Sequence, residues 1–411
     1  MKGITMNATR NIVYRIYPTK TQERTLNDWL DLHRELYNAA LQERRDAYRK
    51  KGVSITYNDQ QNALPEIKKF RPELIPLGSH ALQETVRRVD RAFKAFFRRV
   101  RQKETPGFPR FKGRNRFDSF TYPDPAGWKL LEQKDHSGKF RIANLGSIKM
   151  RGKPRAAIGM GEPRTLTIRR KNGKWYASMT ARYDIKNLAR SPADTDTAVG
   201  IDPGSYHIAA LSTGEKIDSP RFLTKAINEL RHAQKDLSRK KKRSHNRIKA
   251  RKKVTCLHEK VSNQRKDFLH KLSAKLATLF AFIAIEQMQV VHIVKNGGWR
   301  KSGFNRNMLD AGIAMLIAML VYKAEEAGGQ TEMVRAANTS RVCSGCGSIV
   351  PKALSNKVHH CKHCGLVMDR HINAAINILF LGLSQAGREP SEAWREGNSL
   401  PAKRETAAMA T

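Results

Sequence analysis

Alternating and helical hydrophobic patterns divide the first half of the chain. Residues 10–17 alternate apolar and polar side chains, which predicts a strand. From 21 to about 51 the apolar residues recur at helical spacing, and two further helices are predicted over 60–70 and 79–103. Short apolar segments separated by turns follow from 117 to about 183. We therefore predict a small β-barrel whose first strand precedes the helices and whose other strands follow them.

Two apolar strands in the second half of the chain each end on an acidic residue. The run 198–202 ends at Asp202, and the next apolar segment is predicted to pair with it as a hairpin. The run 279–286 ends at Glu286. A carboxylate that closes a buried strand costs free energy unless it is paired or binds a metal. Both acids are therefore candidate ligands for the catalytic metal of a ribonuclease-H-like fold, with a turn-capping aspartate as the alternative for Asp202.

Further helices and a strand are predicted around these two strands. Residues 223–277 are helical with a break at 244–246, which predicts a helical hairpin. After a loop rich in Gly, Asn and Arg over 295–306, a helix is predicted over 308–327 and a strand over 330–334.

The net charge narrows the class of partner. The chain has 77 Lys and Arg against 37 Asp and Glu, which gives a net charge of +40. Such a charge repels itself unless a polyanion neutralises it, so nucleic acid is the expected partner. An anionic membrane is the rival partner. We recognise no signal peptide, and the apolar runs 276–285 and 311–322 are too short to span a bilayer.

Basic residues concentrate in two of the predicted helical segments. In 79–103 they interleave with phenylalanines, a pattern typical of surfaces that hold phosphates and stack on bases, although a solvated basic face over a phenylalanine core explains it as well. In 223–277 the density of charge favours phosphate contact over a solvated face. The candidate nucleic-acid-binding residues of the two segments are Arg87, Arg88, Arg91, Arg239, Lys240, Lys241, Lys242, Arg243 and Arg251.

Four of the five cysteines form two Cys-x-x-Cys pairs. Cys343, Cys346, Cys361 and Cys364 can supply four thiolates to one tetrahedral Zn²⁺, and disulfides or unrelated thiols are the alternatives. A glycine follows each pair, where a tight turn brings backbone N–H groups toward sulfur. Cys256 stands alone in a basic helix and is interpreted as a packing residue. Thiolates that hold a metal indicate a reducing compartment, the cytosol.

A polar cluster follows the second cysteine pair at the start of an apolar helix. Asp369 is placed to cap this helix, Asn373 lies beside it, and the apolar residues of 374–379 form its buried face. A capped helix attached to a cysteine cluster predicts part of a metal-dependent site on a larger fold.

Several segments together resemble the TnpB family, the RNA-guided nucleases encoded by bacterial insertion sequences and similar to compact type V CRISPR effectors. The resemblance covers roughly residues 10–385. It is carried by Tyr17-Pro18-Thr19-x-x-Gln22, Gly107-Phe108-Pro109-Arg110-Phe111, Val199-Gly200-Ile201-Asp202-x-Gly204, the stretch 263–273, Ala284-Ile285-Glu286, Cys343-Ser344-x-Cys346-Gly347 and Asn373-Ala374-Ala375-x-Asn377. Within that stretch, Arg265 and Lys266 become further candidate nucleic-acid contacts.

The resemblance implies a multidomain α/β fold in which a β-barrel carries an inserted helical lobe. A RuvC-like nuclease domain, a ribonuclease-H-like mixed sheet with helices, would follow and be interrupted by a zinc-ribbon insert. The implied parts are the barrel (1–18 and 105–190), the helical recognition lobe (19–104), the RuvC-like domain (196–340 and 366–385, including the basic hairpin 223–277), the zinc-ribbon insert (341–365) and a disordered tail (386–411), with a linker near 186–197.

The function implied by the resemblance is RNA-guided DNA cleavage. A guide RNA from the end of the transposable element would direct the protein to double-stranded target DNA beside a short motif. Hydrolysis would use two Mg²⁺ ions about 4 Å apart, with Asp202 bridging them and Glu286 binding one, while Zn²⁺ is structural. The expected protein is cytoplasmic, bacterial or archaeal, without a membrane, and a monomer bound to RNA.

The third acid is where this chain departs from the family. The family pattern Asp-Arg-Asp-x-Asn-Ala-Ala has an aspartate at the position of His371. In one interpretation His371 binds a metal itself and favours Mn²⁺, because imidazole is a poorer ligand than carboxylate for Mg²⁺. In a second, Asp369 substitutes for the missing acid. In a third the site is inactive, which leaves an RNA-guided DNA-binding protein. Because Asp202 and Glu286 are retained, we expect cleavage.

An unguided zinc-ribbon factor of transposition that binds nucleic acid is the alternative from another class. It explains the charge and the cysteines but not the acids that end two buried strands. Copurified RNA of defined length and sequence would favour the guided protein.

Overall fold

The computed structural model describes residues 7–132, 138–151, 161–184, 197–295, 301–335, 338–351 and 356–388. The chain divides into two compact units, residues 1–187 and 188–411. Each unit contains both sheet and helix, which confirms the α/β class predicted from the sequence. The predicted linker and tail lie almost entirely outside the described residues.

The first unit is built on a seven-stranded antiparallel sheet. Its strands are β1 (Asn7–Tyr17), β2 (Ser119–Tyr122), β3 (Trp128–Glu132), β4 (Gly138–Ile142), β5 (Gly146–Arg151), β6 (Glu162–Lys171) and β7 (Lys174–Asp184). Their order is β2-β6-β7-β1-β5-β4-β3, so the strand that precedes the helices pairs with strands that follow them. Phe120, Phe140 and Ile168 are fully buried on this sheet. Closure into a barrel stays a prediction.

Helices connect β1 to the rest of this sheet. They are α1 (Lys20–Lys51), α2 (Tyr57–Asn62), α3 (Leu64–Phe70) and α4 (Ser79–Arg101). The helix predicted over 21–51 is confirmed as α1, which begins at a capping box formed by Thr19 and Gln22 and ends at Gly52, with φ of 67°. The single helix predicted over 60–70 is wrong, since the chain breaks at Ala63 and Pro65 occupies the first turn of α3. Proline lacks the N–H that a continuous helix would need there.

The second unit is built on a five-stranded mixed sheet. Its strands are β8 (Ala198–Asp202), β9 (His207–Leu211), β10 (Lys216–Asp218), β11 (Phe282–Glu286) and β12 (Gln330–Val334), in the order β10-β9-β8-β11-β12. The strands β8 and β9 form the predicted antiparallel hairpin, and β11 runs parallel to β8 and β12. A separate two-stranded ribbon, β13 (Val358–His360) and β14 (Val367–Asp369), lies beside the second cysteine pair.

Six helices complete the described part of this unit. They are α5 (Phe222–Arg239), α6 (His245–Leu279), α7 (Val290–Lys295), α8 (Ser302–Ala311), α9 (Ile313–Glu326) and α10 (Arg370–Gln385). The predicted hairpin is confirmed as α5 and α6, with Ser244 capping α6. The loop predicted over 295–306 is wrong beyond 301, because α8 begins at Ser302. The helix predicted over 308–327 is instead divided at Gly312, whose φ of 71° is left-handed and ends α8.

The sheet is covered on both faces, which explains why β8 and β11 are apolar up to the acid that ends each strand. On one face Val199, Ile201, Ile283 and Ile285 pack against leucines of α6 and α9. On the other face Phe282 and Ala284 pack against Ile378, Leu379 and Leu383 of α10. The alternation of side chains along each strand therefore assigns even-numbered residues to the α10 side.

One segment, Ser302–Glu326, is long and apolar enough to cross a membrane by length and composition. Gly312 divides it into two helices, and Leu316 and Leu320 are fully buried in the core beside the sheet. Core helices meet the same criterion, so the segment is weak support for a membrane span.

Candidate active site and cysteine cluster

Asp202 and Glu286 close two neighbouring strands at the same edge of the sheet. Because β8 and β11 are parallel and Ile201 lies opposite Ile285, the next residue of each strand comes at the same level. Side chains alternate, so both acids face the side covered by α10, as Gly200 does. The two carboxyl groups predicted as metal ligands are therefore neighbours.

The helix α10 crosses β8 at a glycine. A Cβ added at Gly200 would lie 2.0 Å from the carbonyl oxygen of Ala375, so a side chain at this position would displace the helix. A second glycine, Gly382, allows close contact with β11, since a Cβ added there would lie 2.5 Å from the Cβ of Ala284. The crossing lies where Gly200 of β8 meets Ala375 of α10. Asp202 follows Gly200 by two strand residues, about 7 Å, and His371 precedes Ala375 by one helical turn, about 6 Å. The crossing brings these two side chains together.

His371 contacts Asp202 directly. The imidazole Nδ1 lies 2.7 Å from Oδ2 of Asp202. The Asp202 side chain is 12% exposed and the His371 side chain 34% exposed, so the pair lies at the edge of the core with one side open to solvent. A substrate at the surface of this unit can therefore reach the pair.

Glu286 completes a crowded group of ligand atoms. Burial, the negative charge of Asp202 and a hydrogen bond with its carboxylate together raise the pKa of Glu286 to about 7, with burial the largest cause. Asp202 is thus hydrogen-bonded to His371 and to Glu286. Two neighbouring, partly buried carboxyl groups repel each other when both are charged, and such pairs are typical of sites that bind a cation. The oxygen and nitrogen donors of Asp202, Glu286 and His371 therefore fit a hard or borderline divalent ion.

Asp369 has different partners. It is the N-cap of α10, as predicted: its Oδ1 accepts a hydrogen bond of 2.8 Å from the backbone N–H of His371. Its Oδ2 accepts one of 2.8 Å from Nζ of Lys216 in β10. Partial burial acts to raise the pKa of Asp369, but Lys216 and the backbone N–H outweigh it and lower the pKa. Asp369 therefore holds the start of the helix beside the site.

Two asparagines of α10 attach the helix to the first cysteine pair. The Oδ1 atom of Asn373 accepts from the backbone N–H of Ser344 at 3.0 Å, and its Nδ2 donates to the carbonyl of Val342 at 2.7 Å. The Nδ2 of Asn377 donates to the carbonyls of Thr339 and Val342, both at 2.8 Å. Asn373 is fully buried, so these bonds fix the loop that carries Cys343 on the helix that carries His371.

The four predicted zinc ligands converge. The Sγ atoms of Cys343 and Cys364 are 3.6 Å apart, as are those of Cys346 and Cys361, and all four lie within 4.8 Å of one another. A tetrahedron with Zn–S bonds of about 2.3 Å has edges of about 3.8 Å, so the geometry fits one Zn²⁺.

Both turns of the cluster have the expected glycine. Gly347 and Gly365 have φ of 76° and 75°, and each donates its N–H to the carbonyl of the first cysteine of its pair at 2.9 Å. Hydrogen bonds from the side chain and backbone of Ser348 lower the pKa of Cys346 to about 6, which favours the thiolate that a metal requires. Cys256 is exposed on α6, so its interpretation as a packing residue is wrong.

The structure narrows the set of candidate nucleic-acid contacts. Arg88 donates to the carbonyl of Ser119 at 2.6 Å and to Oγ1 of Thr121 at 2.8 Å, and Arg265 pairs with the buried carboxylate of Asp310. These two guanidinium groups are used within the fold. The remaining candidates have exposed or partly exposed side chains: Arg87, Arg91, Arg239, Lys240, Lys241, Lys242, Arg243, Arg251 and Lys266.

Three residues at the site were not identified from the sequence. Gly200 and Gly382 interrupt an apolar strand and an apolar helix, and a glycine at such a position signals close approach of another backbone. That signal could have predicted which helix crosses β8. Lys216 has no comparable signal, because a single lysine in a short polar strand is common.

Three family models match the chain. The model for the OrfB_IS605 family, described as "Probable transposase", matches residues 154–297. A model described as "Cas12f1-like, TNB domain" matches 314–378, which includes the four cysteines and most of the motif that follows them. A helix-turn-helix model of the OrfB_IS605 type matches 6–52.

Solved structures show a similar fold. The chain covers 98% of a Cas12f1 protein solved with its guide RNA and target DNA, with a TM-score of 0.59, 13% identity and 90% of this chain aligned. A mini-RNA-guided endonuclease, CRISPR-Cas_phi3, gives a TM-score of 0.51 at 8% identity, with 92% of each chain aligned.

Curated relatives match over nearly the whole chain. A "Putative RNA-guided DNA endonuclease" of Streptomyces pristinaespiralis is 34% identical over 95% of this chain and 94% of its own length. The Escherichia coli K12 protein "Putative RNA-guided DNA endonuclease InsQ" is 29% identical over 92% of this chain and 96% of its own length. A mimivirus "TnpB-like protein L79" is 32% identical over 38% of this chain and 29% of its own length. The chain therefore belongs to the TnpB family, whose members include proteins named for RNA-guided cleavage of DNA.

Proposed function

We propose that this protein is an RNA-guided DNA endonuclease of a transposable element that cuts target DNA beside a short motif. The observation that carries the proposal is the meeting of Asp202, Glu286 and His371 where two parallel strands end under the start of α10. Membership of the TnpB family supports guided recognition of DNA, and this group of possible metal ligands supports hydrolysis of the phosphodiester bond.

Asp202 occupies the middle of the proposed centre. It bonds to His371 and interacts with Glu286, so these three side chains would together hold the divalent ions that the cleavage requires. When bound, two Mg²⁺ or Mn²⁺ ions supply an activated water and charge stabilisation for the phosphate. Among described residues, the four cysteines are the group whose donor atoms all lie within 4.8 Å of one another.

His371, rather than Asp369, is proposed as the third ligand. Asp369 is occupied by Lys216 and by the backbone of the helix it caps, and moving it would give up both interactions. Imidazole is a better ligand for Mn²⁺ than for Mg²⁺, so we propose that the site works best with Mn²⁺.

The cysteine cluster is proposed to hold a structural Zn²⁺. Its role is to order the loops on either side of α10, since Asn373 and Asn377 bind the loop that precedes Cys343. Structural zinc sites of this kind contribute directly to folding.

The remaining parts are proposed to hold nucleic acid. The sheet of the first unit would be the barrel (1–18 and 105–190) with its inserted helical lobe (19–104), and the second unit the RuvC-like domain (196–340 and 366–385) with its zinc insert (341–365). The exposed basic residues of α4 and of the α5–α6 hairpin are proposed to contact the guide RNA and the target DNA. We propose a cytoplasmic monomer bound to its RNA.

A silent site is the second candidate function. The observation in its favour is the His371–Asp202 contact itself, because an imidazole occupies one oxygen of the carboxylate on which two-metal cleavage depends. Such a protein would bind guided targets and block them without cutting.

Purification followed by a cleavage assay tests the proposal. The full-length protein is purified with its bound RNA, the RNA is sequenced, and plasmids with and without the complementary target are incubated with Mg²⁺ or Mn²⁺. RNA of defined length and target-dependent cutting support the endonuclease. Defined RNA and tight target binding without cutting support the silent protein, and RNA of heterogeneous sequence favours an unguided binder.

A further inference from the structure

An exposed tyrosine lies on a rigid turn beside the candidate active site. Tyr206 is in the turn between β8 and β9, four residues after Asp202, and is 60% exposed. Its carbonyl accepts a hydrogen bond of 2.9 Å from the N–H of Ser219. A Cβ added at Gly204 would lie 2.9 Å from the carbonyl oxygen of His207, so the turn is tight. The backbone is held firmly while the ring contributes little to the core.

Two cations lie over this ring. The guanidinium carbon of Arg221 is 4.4 Å from the ring centroid, and Nζ of Lys357 is 5.8 Å from it. Among the described residues, neither cation has an acidic side chain within ion-pair distance. An aromatic ring with two cations that lack acidic partners offers both a stacking face and positive charge.

The backbone of Arg221 is unusual. Its φ of 51° and ψ of 48° are left-handed, a conformation that residues with a β-carbon adopt rarely and that favours Gly or Asn. Arg221 precedes α5 and makes no side-chain capping bond there. Gly or Asn would adopt this backbone at a lower cost in free energy. The arginine at this position therefore indicates a functional role for the guanidinium over Tyr206 rather than a role in stability.

A row of rings connects Tyr206 to the site. The ring of His207 lies 4.8 Å from that of Tyr206 and 6.4 Å from that of His371, which bonds to Asp202. The Nδ1 atom of His207 is 2.6 Å from Oδ1 of Asp218, which fixes the orientation of the imidazole. A nucleotide on Tyr206 would therefore lie within a few nucleotides of the phosphate at Asp202.

We propose that Tyr206, Arg221 and Lys357 bind one unpaired nucleotide of the DNA strand that enters the Asp202 centre. The base stacks on the tyrosine, and its phosphates pair with the two cations. Bases inside a duplex are already stacked on each other, so this surface accepts a strand only after the duplex has opened. Stacking is tolerant of sequence, so no base preference is expected. The inference rests on the proposed function.

Photocrosslinking tests this inference without requiring cleavage. The full-length protein with its copurified RNA is bound, in Ca²⁺, to a target duplex that carries 5-iododeoxyuridine at successive positions of either strand. A crosslink to the peptide that contains Tyr206 is expected from one or two neighbouring positions. It should persist in Tyr206→Phe, which keeps the ring, and be lost in Tyr206→Leu, which keeps an apolar side chain without a ring.

One kinetic measurement and one stability measurement complement the crosslinking experiment. Single-turnover cleavage should fall about fivefold or more in Tyr206→Leu and little in Tyr206→Phe. Arg221→Gly relieves the left-handed backbone, so its unfolding midpoint should equal or exceed that of the wild type while the crosslink weakens.

The failure of this inference differs from the failure of the proposed function. Target-dependent cutting that is equal in wild type and Tyr206→Leu, with no crosslink at Tyr206, would overturn the stacking site and leave the endonuclease standing. A ring-dependent crosslink in a protein that never cuts would support the stacking site and contradict the endonuclease.

Discussion

The imidazole Nδ1 of His371 lies 2.7 Å from Oδ2 of Asp202, at the end of the central strand β8. This contact joins residues 169 positions apart and follows from the crossing of α10 over Gly200. It means that the residue standing in place of the family's third acid is already in contact with the first. The predictions below test how the contact is built and what it does.

Replacing Gly200 with alanine should displace α10. The added Cβ would lie 2.0 Å from the carbonyl oxygen of Ala375 and 2.8 Å from the Leu379 backbone, and backbone atoms cannot move aside as a flexible side chain can. We expect a loss of about 1–3 kcal/mol in the free energy of unfolding, measured by urea denaturation, together with loss of cleavage.

The matched control is Gly303→Ala in α8. There the added methyl meets no described atom within 4 Å, and alanine is the better helix former, so stability should be unchanged or slightly raised. Equal stability of Gly200→Ala and the wild type would show that α10 does not pack on β8 in this way.

The position of each acid follows from a local sequence pattern, whereas His371 was placed beside them only by the family resemblance. Asp202 and Glu286 end continuous apolar runs, and that local pattern suffices to place each at the end of a buried strand. His371 reaches Asp202 only because a helix distant in sequence crosses at Gly200, and the apolar run that ends at each acid does not encode that crossing. The same reason explains why the pairing of Arg265 with Asp310, 45 residues away, was not predicted.

The bounds of the helix predicted over 308–327 were wrong for a different reason. The apolar pattern correctly predicts helix within 308–327, but it misses the start at Ser302 and does not show that Gly312 adopts a left-handed backbone and divides the segment. A glycine in an apolar helix is compatible with either outcome, and the surrounding packing decides. The convergence of the four cysteines, in contrast, was predicted correctly, because two pairs at this spacing leave few other geometries.

Glu286 should make stability depend on pH. Its pKa in the folded protein is about 7, above the ordinary value of 4.5, so the folded state holds this proton more tightly than the unfolded state. The resulting stabilisation is fully present below pH 4.5 and is lost as the pH rises through 7. Glu286→Gln cannot lose a proton, so its thermal midpoint relative to wild type should rise between pH 5 and pH 8.

The measurement is a pair of melting curves at each pH, with zinc retained and without other divalent ions. Adding Mn²⁺ should stabilise the wild type more at pH 8 than at pH 5, because binding requires the deprotonated acid. A midpoint difference that stays constant across this range would mean that Glu286 is not forced to hold a proton beside Asp202.

Asn373→Ala should loosen the cysteine cluster. The buried amide satisfies the N–H of Ser344 and the carbonyl of Val342, and alanine leaves both without this partner at a cost of about 1–3 kcal/mol. Zinc release to a colorimetric chelator should therefore be faster than in the wild type. Asn377→Ala should have a smaller effect, since its two carbonyl acceptors also receive bonds from Asn373.

The control for the amide is Gln385→Ala at the exposed end of the same helix, which should release zinc at the wild-type rate. If Asn373→Ala also retains zinc as the wild type does, the amide does not couple α10 to the cluster.

The most direct test of the central claim compares guided plasmid cleavage by the wild type and by His371→Asp, each with its copurified RNA, in Mg²⁺ and in Mn²⁺. Because imidazole suits Mn²⁺ and carboxylate suits Mg²⁺, we predict that the wild type cuts faster in Mn²⁺ and that the aspartate variant gains activity in Mg²⁺. A wild type that binds its guided target tightly and leaves it uncut in both ions would contradict the claim that Asp202, Glu286 and His371 form a working nuclease centre.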